Sequence, residues 1–191
     1  MKFAKGIINM KILVIGCAGA GKTTLAKNLS IRTGLPYFSL DEFYWKPNWK
    51  KNYKNEFKKK IREILYSKSW IMDGMYPELL SEISQSNIKD IIIIYLKIKK
   101  ITSLFRIVKR TFFRVVTKEE VCNGNVESFK NLIGDSGIIP YAFKSYDKTK
   151  KKCNLLIGYS YKSFTVSNNK ELKELVNKLS TSEEIESNKK I

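Results

Sequence analysis

Three observations predict that this chain is a protein of the α/β class. Short apolar runs rich in β-branched residues alternate with amphipathic helical segments along the sequence. The first run, residues 12–15, leads into a glycine-rich stretch that is followed at once by a helical pattern. The chain has 191 residues, of which 43% are hydrophobic, so it is long enough and apolar enough to bury one full core.

The glycine-rich stretch carries the clearest functional signal. Residues 16–23 have the spacing G-x-x-x-x-G-K-T, in which glycines let the backbone curl around phosphate groups. The helix that follows points its positive end at the anion, Lys22 adds a charge for the β- and γ-phosphates, and the Thr23 hydroxyl is a ligand for Mg²⁺. The alternative is a glycine-rich turn that binds nothing. The residues expected to bind ATP are Gly16, Ala18, Gly19, Ala20, Gly21, Lys22, Thr23 and Thr24.

An acidic and aromatic segment follows the second predicted strand, residues 37–40. The helix that follows the glycine-rich stretch, which we call the P-loop, should run from about Lys22 to Thr33. In a parallel sheet, ligands bind at the carboxyl ends of the strands, and Asp41 follows such an end. We therefore expect Asp41 to take a proton from an acceptor or to hold the metal, and Trp45 or Trp49 to stack on a flat substrate. The alternative is an aromatic loop over the sheet edge, with Asp41 capping a turn.

A helix over residues 54–67 and a third strand over residues 70–74 come next. The third strand ends in Asp73, which is placed to hold Mg²⁺ together with Thr23, and Tyr76 follows it closely. An aspartate in a turn before glycine is the alternative. A short helix is expected over residues 77–83.

The fourth strand, residues 91–96, precedes a helix over residues 101–116. This helix carries Arg106, Arg110 and Arg114 at steps of four, which places the three guanidinium groups along one helix face. Such a row suits the neutralisation of charge on a transferred phosphoryl group. A solvated basic face is the alternative.

The rest of the chain is predicted with fewer signals. Residues 117–137 are polar and contain glycines, which favours a small lid that closes over the phosphates. Residues 138–150 are expected to be helical, residues 154–157 to form the fifth strand, and a final helix to contain residues 171–179. Residues 1–9 form an N-terminal extension, with Met1 or Met10 as the start, and residues 181–191 a polar tail, so that residues 10–180 make one domain.

The amino-acid composition limits the classes of reaction and of binding partner that the sequence predicts. The absence of histidine excludes serine–histidine catalysis and histidine-ligated zinc, but it leaves phosphoryl transfer open. The formal net charge of +18 attracts polyanions, either nucleotides or nucleic acid, or else it reflects solvated lysine-rich faces. The three cysteines show no metal spacing and no disulfide framework, which predicts a cytoplasmic protein. No apolar run is long enough to span a membrane.

Taken together, these segments resemble the adenylate-kinase-like branch of P-loop nucleotide and nucleoside kinases, and within it the bacterial DNA topology modulation proteins. The residues that carry the resemblance are 16–24, the Leu40-Asp41 step with Trp45-Lys46-Pro47 and Trp49, the segment 70–74 with Tyr76, and Arg106, Arg110 and Arg114. The resemblance implies a three-layer fold, a five-stranded parallel sheet with helices on both faces, together with ATP and Mg²⁺. It also implies that Arg106 lies near the adenine or the phosphates, and Arg110 and Arg114 near the transferred group.

The sequence departs from adenylate kinases at the acceptor end. They follow the third-strand Asp-Gly with Phe-Pro-Arg, whereas Gly74 is followed here by Met75-Tyr76-Pro77-Glu78. The sequence therefore predicts a kinase for a nucleoside, a nucleotide or another small hydroxyl compound, with AMP disfavoured. The alternatives are a DNA-associated protein that uses ATP as a switch and a slow ATPase. Neither the acceptor nor the oligomeric state follows from the sequence.

Overall fold

A five-stranded parallel sheet forms the centre of the protein, as the sequence predicts. The computed structural model describes residues 10–86, 90–129, 137–160 and 162–180. Its strands are β1 (Lys11–Gly16), β2 (Tyr37–Ser39), β5 (Trp70–Asp73), β6 (Ile91–Leu96) and β9 (Lys162–Val166). The sheet has the order β2-β5-β1-β6-β9 and every neighbouring pair is parallel. Because β1 lies in the middle, the segment after it leaves the sheet at its centre.

Helices cover both faces of the sheet. They are α1 (Lys22–Thr33), α2 (Leu40–Tyr44), α3 (Lys54–Tyr66), α4 (Pro77–Gln85), α5 (Lys100–Thr117), α6 (Ile138–Gly158) and α7 (Asn169–Ser180). Two small hairpins complete the described part. One pairs β3 (Trp45–Lys46) with β4 (Lys50–Lys51) around the 3₁₀ turn Pro47–Trp49, and the other pairs β7 (Glu120–Val121) with β8 (Asn125–Val126).

Strand alternation divides the core into two layers. In β1, Ile12 and Val14 pack on one side of the sheet with α1 and α7, while Leu13 and Ile15 pack on the other side with α3, α4 and α6. All four side chains are fully buried. A strand covered on both faces has no polar side, which explains its continuous apolar run. The result is the predicted three-layer fold.

The prediction for the fifth strand was wrong. Residues 154–157 belong to α6, where Cys153 and Leu156 are fully buried at a helical spacing of three. The fifth strand is β9, which pairs with β6 from Ile92↔Lys162 to Leu96↔Val166. The apolar run was misread because a short buried stretch of a helix has the same composition as a strand.

The expected lid, residues 117–137, is described only in part. Its beginning is the β7–β8 hairpin, which follows α5 directly, and residues 130–136 lie outside the described residues, as do the N-terminal extension and the polar tail. Among the described helices, none has a stretch long and apolar enough to cross a bilayer.

Candidate active site

The P-loop connects the central strand to α1. Gly16 ends β1, and the loop closes with a hydrogen bond from the Ala20 amide to the Cys17 carbonyl oxygen at 3.2 Å. Gly21 has a φ of +95°, and a Cβ built on it would meet nothing within 4 Å. The backbone at this point therefore faces open space, and its left-handed conformation alone favours glycine.

Lys22 lies across the loop. Its ammonium group donates to the Cys17 carbonyl oxygen at 3.1 Å, so the charge is held over the loop backbone. The amides at the start of α1 have no partner within the helix, which makes this end attractive to anions. Thr23 and Thr24, the other predicted nucleotide ligands of α1, both have exposed side chains.

Helix α5 packs directly against the P-loop. The buried hydroxyl of Ser103 donates to the Ala18 carbonyl oxygen at 2.6 Å. A Cβ at Gly19, whose φ is +71°, would lie 2.8 Å from the Ser103 carbonyl oxygen and 3.6 Å from Arg106 Cβ. Only glycine tolerates both the backbone angle and this approach. The close packing places Arg106 beside the loop.

Asp73 lies at the end of β5, paired with Val14 of β1, and is 2% exposed. Thr23 Oγ1 donates to Asp73 Oδ2 at 2.7 Å, so the two predicted metal ligands are in contact. The Tyr37 hydroxyl donates to Asp73 Oδ1 at 2.8 Å. Burial raises the pKa of Asp73 above its usual value, although the bonds from Thr23 and Tyr37 act in the opposite direction.

The pair formed by Thr23 and Asp73 fits Mg²⁺ at a nucleotide site. Both offer hard oxygen ligands, and Mg²⁺ is usually held by one or two carboxylates together with substrate phosphates and water. Over the described residues, no group of three or more acidic or cysteine side chains converges on a metal position. The two oxygen donors of Thr23 and Asp73 suit a metal that arrives with a phosphate ligand.

Replacing Asp73 by asparagine should change how stability depends on pH. The pKa of Asp73 is raised in the folded protein, so the folded state loses stability relative to the unfolded chain as the pH rises from 3.8 through the folded-state pKa. The Asp73→Asn variant has no carboxyl group to titrate at this position, so its stability does not fall with rising pH for this reason. Chemical denaturation of the metal-free protein at several pH values should show the stability of the variant improving relative to wild type as the pH rises, and a constant difference would contradict the expectation.

Asp41 lies in the first turn of α2, at the carboxyl end of β2. Its side chain is exposed, and Oδ1 accepts a hydrogen bond from the Tyr76 hydroxyl. Burial, followed by the charge of Asp41, raises the pKa of Tyr76, so Tyr76 remains a donor. Asp41 is also close enough to Asp73 to contribute to the raised pKa of that residue. The two predicted carboxylates thus share one site.

An aromatic cluster borders Asp41. The Tyr44 ring lies 4.6 Å from Tyr76 and 4.9 Å from Trp45, and Trp45 meets Trp49 edge to face at 5.7 Å. These rings make a partly exposed wall next to the carboxylate. Trp45 and Trp49 contact each other, and each is only half-buried.

The three arginines of α5 differ in their surroundings. Much of the Arg110 side chain is exposed, but the surrounding protein still partly desolvates it, and this desolvation together with the charge of Arg114 lowers the pKa of Arg110. The charges of Glu127 and Asp41 oppose that change. Arg114 is 23% exposed and forms ion pairs with Glu127 at 3.0 Å and Glu119 at 3.7 Å. Arg106 lies beside Gly19 of the P-loop and Arg110 interacts with the charge of Asp41, whereas the charge of Arg114 is already matched by two carboxylates.

Several residues at the site were not found from the sequence. They are Tyr37, Ser103, Glu119, Asn123, Asn125 and Glu127. The Asn-Gly step at residues 123–124 is a typical hairpin signal and could have located the β7–β8 turn. Tyr37 and Ser103 had no local signal, because their partners are at least 36 residues away in the sequence.

Comparison with known proteins gives matches among solved structures alone. Neither a family model nor a curated protein matches the sequence. The shikimate kinase of Bacteroides thetaiotaomicron superposes with a TM-score of 0.55 at 14% identity, covering 89% of this chain and 96% of that one. The shikimate kinase of Acinetobacter baumannii, solved with shikimate, gives 0.54 at 16% identity, covering 95% and 96%.

At 14% and 16% identity, these two matches are evidence about the fold alone. Both neighbours are similar to this chain over almost its whole length. Neither is a topology modulation protein, so the closer resemblance drawn from the sequence stays a prediction. The chain therefore has the same three-layer α/β fold, built on a five-stranded parallel sheet, as these two shikimate kinases.

Proposed function

We propose that this protein transfers the γ-phosphoryl group of Mg²⁺-ATP to a hydroxyl group of a small molecule. The observation that carries the proposal is that two carboxylates lie at the ends of neighbouring strands near the P-loop: Asp73 of β5 accepts a hydrogen bond from Thr23, and Asp41 follows β2. In a phosphoryl transfer, Asp73 is placed to hold the metal and Asp41 is placed to contact the acceptor hydroxyl.

Each residue of the proposed site has a role that follows from its position. The P-loop amides and Lys22 bind the phosphates, and Thr23 and Asp73 would hold the metal, which would supply neutralisation of the phosphate charge. The oxygen of the acceptor hydroxyl bonds to the γ-phosphorus of ATP while its proton passes to Asp41. At the same time the bond between the γ-phosphorus and the bridging oxygen of the β-phosphate breaks. ADP leaves with the electron pair of that bond. Arg106 and Arg110 balance the negative charge on the phosphoryl oxygens.

The acceptor end favours a neutral hydroxyl compound over AMP. Residues 75–78 contain no arginine, and Asp41 with its aromatic neighbours offers a carboxylate and ring faces at this end of the site. One structural neighbour is a shikimate kinase that was solved with shikimate, which supports a small-molecule acceptor. A nucleoside or a small hydroxyl metabolite fits this chemistry, with Trp45 or Trp49 against a flat group.

The test is ADP release from Mg²⁺-ATP with a panel of nucleosides, nucleoside monophosphates and small hydroxyl metabolites. We expect one class of acceptor to raise the rate well above the rate with water. A rate that is low with every acceptor would contradict the proposal and favour the slow ATPase or the DNA-associated switch. The net charge of +18 supports that switch, and its DNA binding should weaken steeply with salt.

A further inference from the structure

The β7–β8 hairpin holds the aromatic loop, which we define as residues 42–51. Asn123 Nδ2 donates to the carbonyl oxygens of Glu42 at 2.7 Å and Trp45 at 2.6 Å. Asn125 Nδ2 donates to the Lys46 carbonyl oxygen at 3.1 Å, and its Oδ1 accepts from the Trp49 amide at 2.7 Å. Two side chains thus bind the backbone of a segment more than 75 residues earlier in the sequence.

Asn125 is the buried member of this contact. It is 3% exposed, and Nδ2 also donates to the Cys122 carbonyl oxygen within its own hairpin. Both of its donors and its acceptor are used, and they join two elements. A buried polar group with all its bonds made fixes one arrangement, because every displacement leaves a group unpaired.

Trp49 shows why the loop needs an external support. It has a φ of +54° and follows Asn48, with a φ of +61°, so two successive residues that are not glycine adopt the left-handed conformation. Such backbone is costly and persists where the surroundings determine it. The hairpin supplies that support, because the Trp49 amide bonds to Asn125 and its indole Nε1 donates to the Val126 carbonyl oxygen at 3.1 Å.

The same hairpin is anchored to the arginine helix. Glu119 precedes it and Glu127 follows it, and both form ion pairs with Arg114 of α5. Glu127 is 10% exposed, so this pair is screened little by solvent. A continuous set of contacts therefore runs from the aromatic loop beside Asp41, through the hairpin, to α5 beside the P-loop.

We propose that Asn125 is a positioning residue for the acceptor: together with Asn123 it fixes the aromatic loop to the β7–β8 hairpin, so that the wall beside Asp41 has one orientation. This rests on the proposed function for its catalytic consequence. The nucleotide is bound by the P-loop, which has no bond to either asparagine among the described contacts. Loss of the Asn125 side chain should therefore weaken binding of the acceptor and leave binding of ATP unchanged.

The first measurement is hydrogen exchange of the full-length protein. Asn125→Ala removes the acceptor of the Trp49 amide, so the aromatic loop and the hairpin should exchange faster together, while α1 and β6 do not change. Asn123→Ala, at an exposed position, should give a smaller change in the same segments. Asn168→Ala is the matched control, because its side chain bonds to Glu171 at the start of α7 and not to the loop.

The second measurement is steady-state kinetics with the best acceptor of the panel. We expect Asn125→Ala to raise the KM for the acceptor about tenfold and to leave the KM for ATP within about twofold, as the loss of a buried hydrogen-bonding group implies. Asn123→Ala should raise the acceptor KM less, and Asn168→Ala should leave both constants unchanged.

Each outcome decides the proposal. Unchanged exchange of the aromatic loop in Asn125→Ala overturns it, and so does faster exchange without a change in acceptor KM, or an equal rise in both KM values. If wild type turns over no acceptor, the proposed function has failed and the positioning role falls with it. Faster exchange would then still establish that Asn125 fixes the loop, so the two failures remain distinguishable.

Discussion

Replacing Lys22 by alanine is expected to lower the rate of ADP release by about a thousandfold, because it removes the positioned charge that the P-loop offers to the β- and γ-phosphates. Lys22 bonds only to the Cys17 carbonyl oxygen among the described contacts, so the variant should fold normally. ADP release under saturating Mg²⁺-ATP measures the effect, and circular dichroism with thermal unfolding checks the fold.

The control for this variant is Lys27→Ala. Lys27 is an exposed lysine of the same helix, so it carries the same loss of charge away from the loop. We expect its rate to match that of wild type. A Lys22→Ala protein that is folded and still turns over at the wild-type rate would remove the assignment of the P-loop to catalysis.

Replacing Asp41 by asparagine should lower the acceptor-dependent rate by about a hundredfold to ten-thousandfold, the usual contribution of a positioned general base. The amide keeps the shape and still accepts a hydrogen bond from Tyr76, but it takes no proton at neutral pH. ATP binding should be unchanged, because the phosphates contact the P-loop. The measurement is the acceptor-dependent rate with ATP affinity determined separately.

Glu42→Gln is the matched control for Asp41→Asn. Glu42 is the next residue of α2, is also exposed, and loses the same charge. If Glu42→Gln lowers the rate as much as Asp41→Asn, the effect is one of local charge and Asp41 is not the base. If only Asp41→Asn is slow, the carboxylate at position 41 is required for transfer to the acceptor.

The fold was largely readable from the sequence because its signals are local. The strand before the P-loop, the end of α1 before Gly34 and the buried run of β6 each follow from neighbouring residues, and the structure confirms them. The fifth strand was misplaced, because residues 155–157 are a continuous apolar run, whereas the true strand Lys162–Val166 contains a lysine, a serine and a threonine. Pairing with β6, a contact between distant segments, decided between them.

The site divides in the same way. Lys22, Thr23, Asp41 and Asp73 could be proposed from the sequence because each lies at the carboxyl end of a strand or in the loop that follows one, and parallel strands bring those ends together. The arginine row was equally visible, but its spacing does not show that Glu119 and Glu127 neutralise Arg114. An ion pair across a hairpin depends on where the chain turns back.

The sequence by itself determined the proposed phosphate end of this protein and offered Asp41, Trp45 and Trp49 for the acceptor end, whereas only the tertiary structure decided how the residues of the acceptor end are held together. Phosphate binding needs a short contiguous stretch, Gly16–Thr23, whose backbone conformation is set by its own glycines and by the helix that follows. The proposed acceptor wall depends on Asn123 and Asn125 against a loop more than 75 residues earlier, and the proposed metal ligand Asp73 depends on its bond from Tyr37. Such contacts carry no local pattern, because side chains distant in sequence meet only once the sheet has formed.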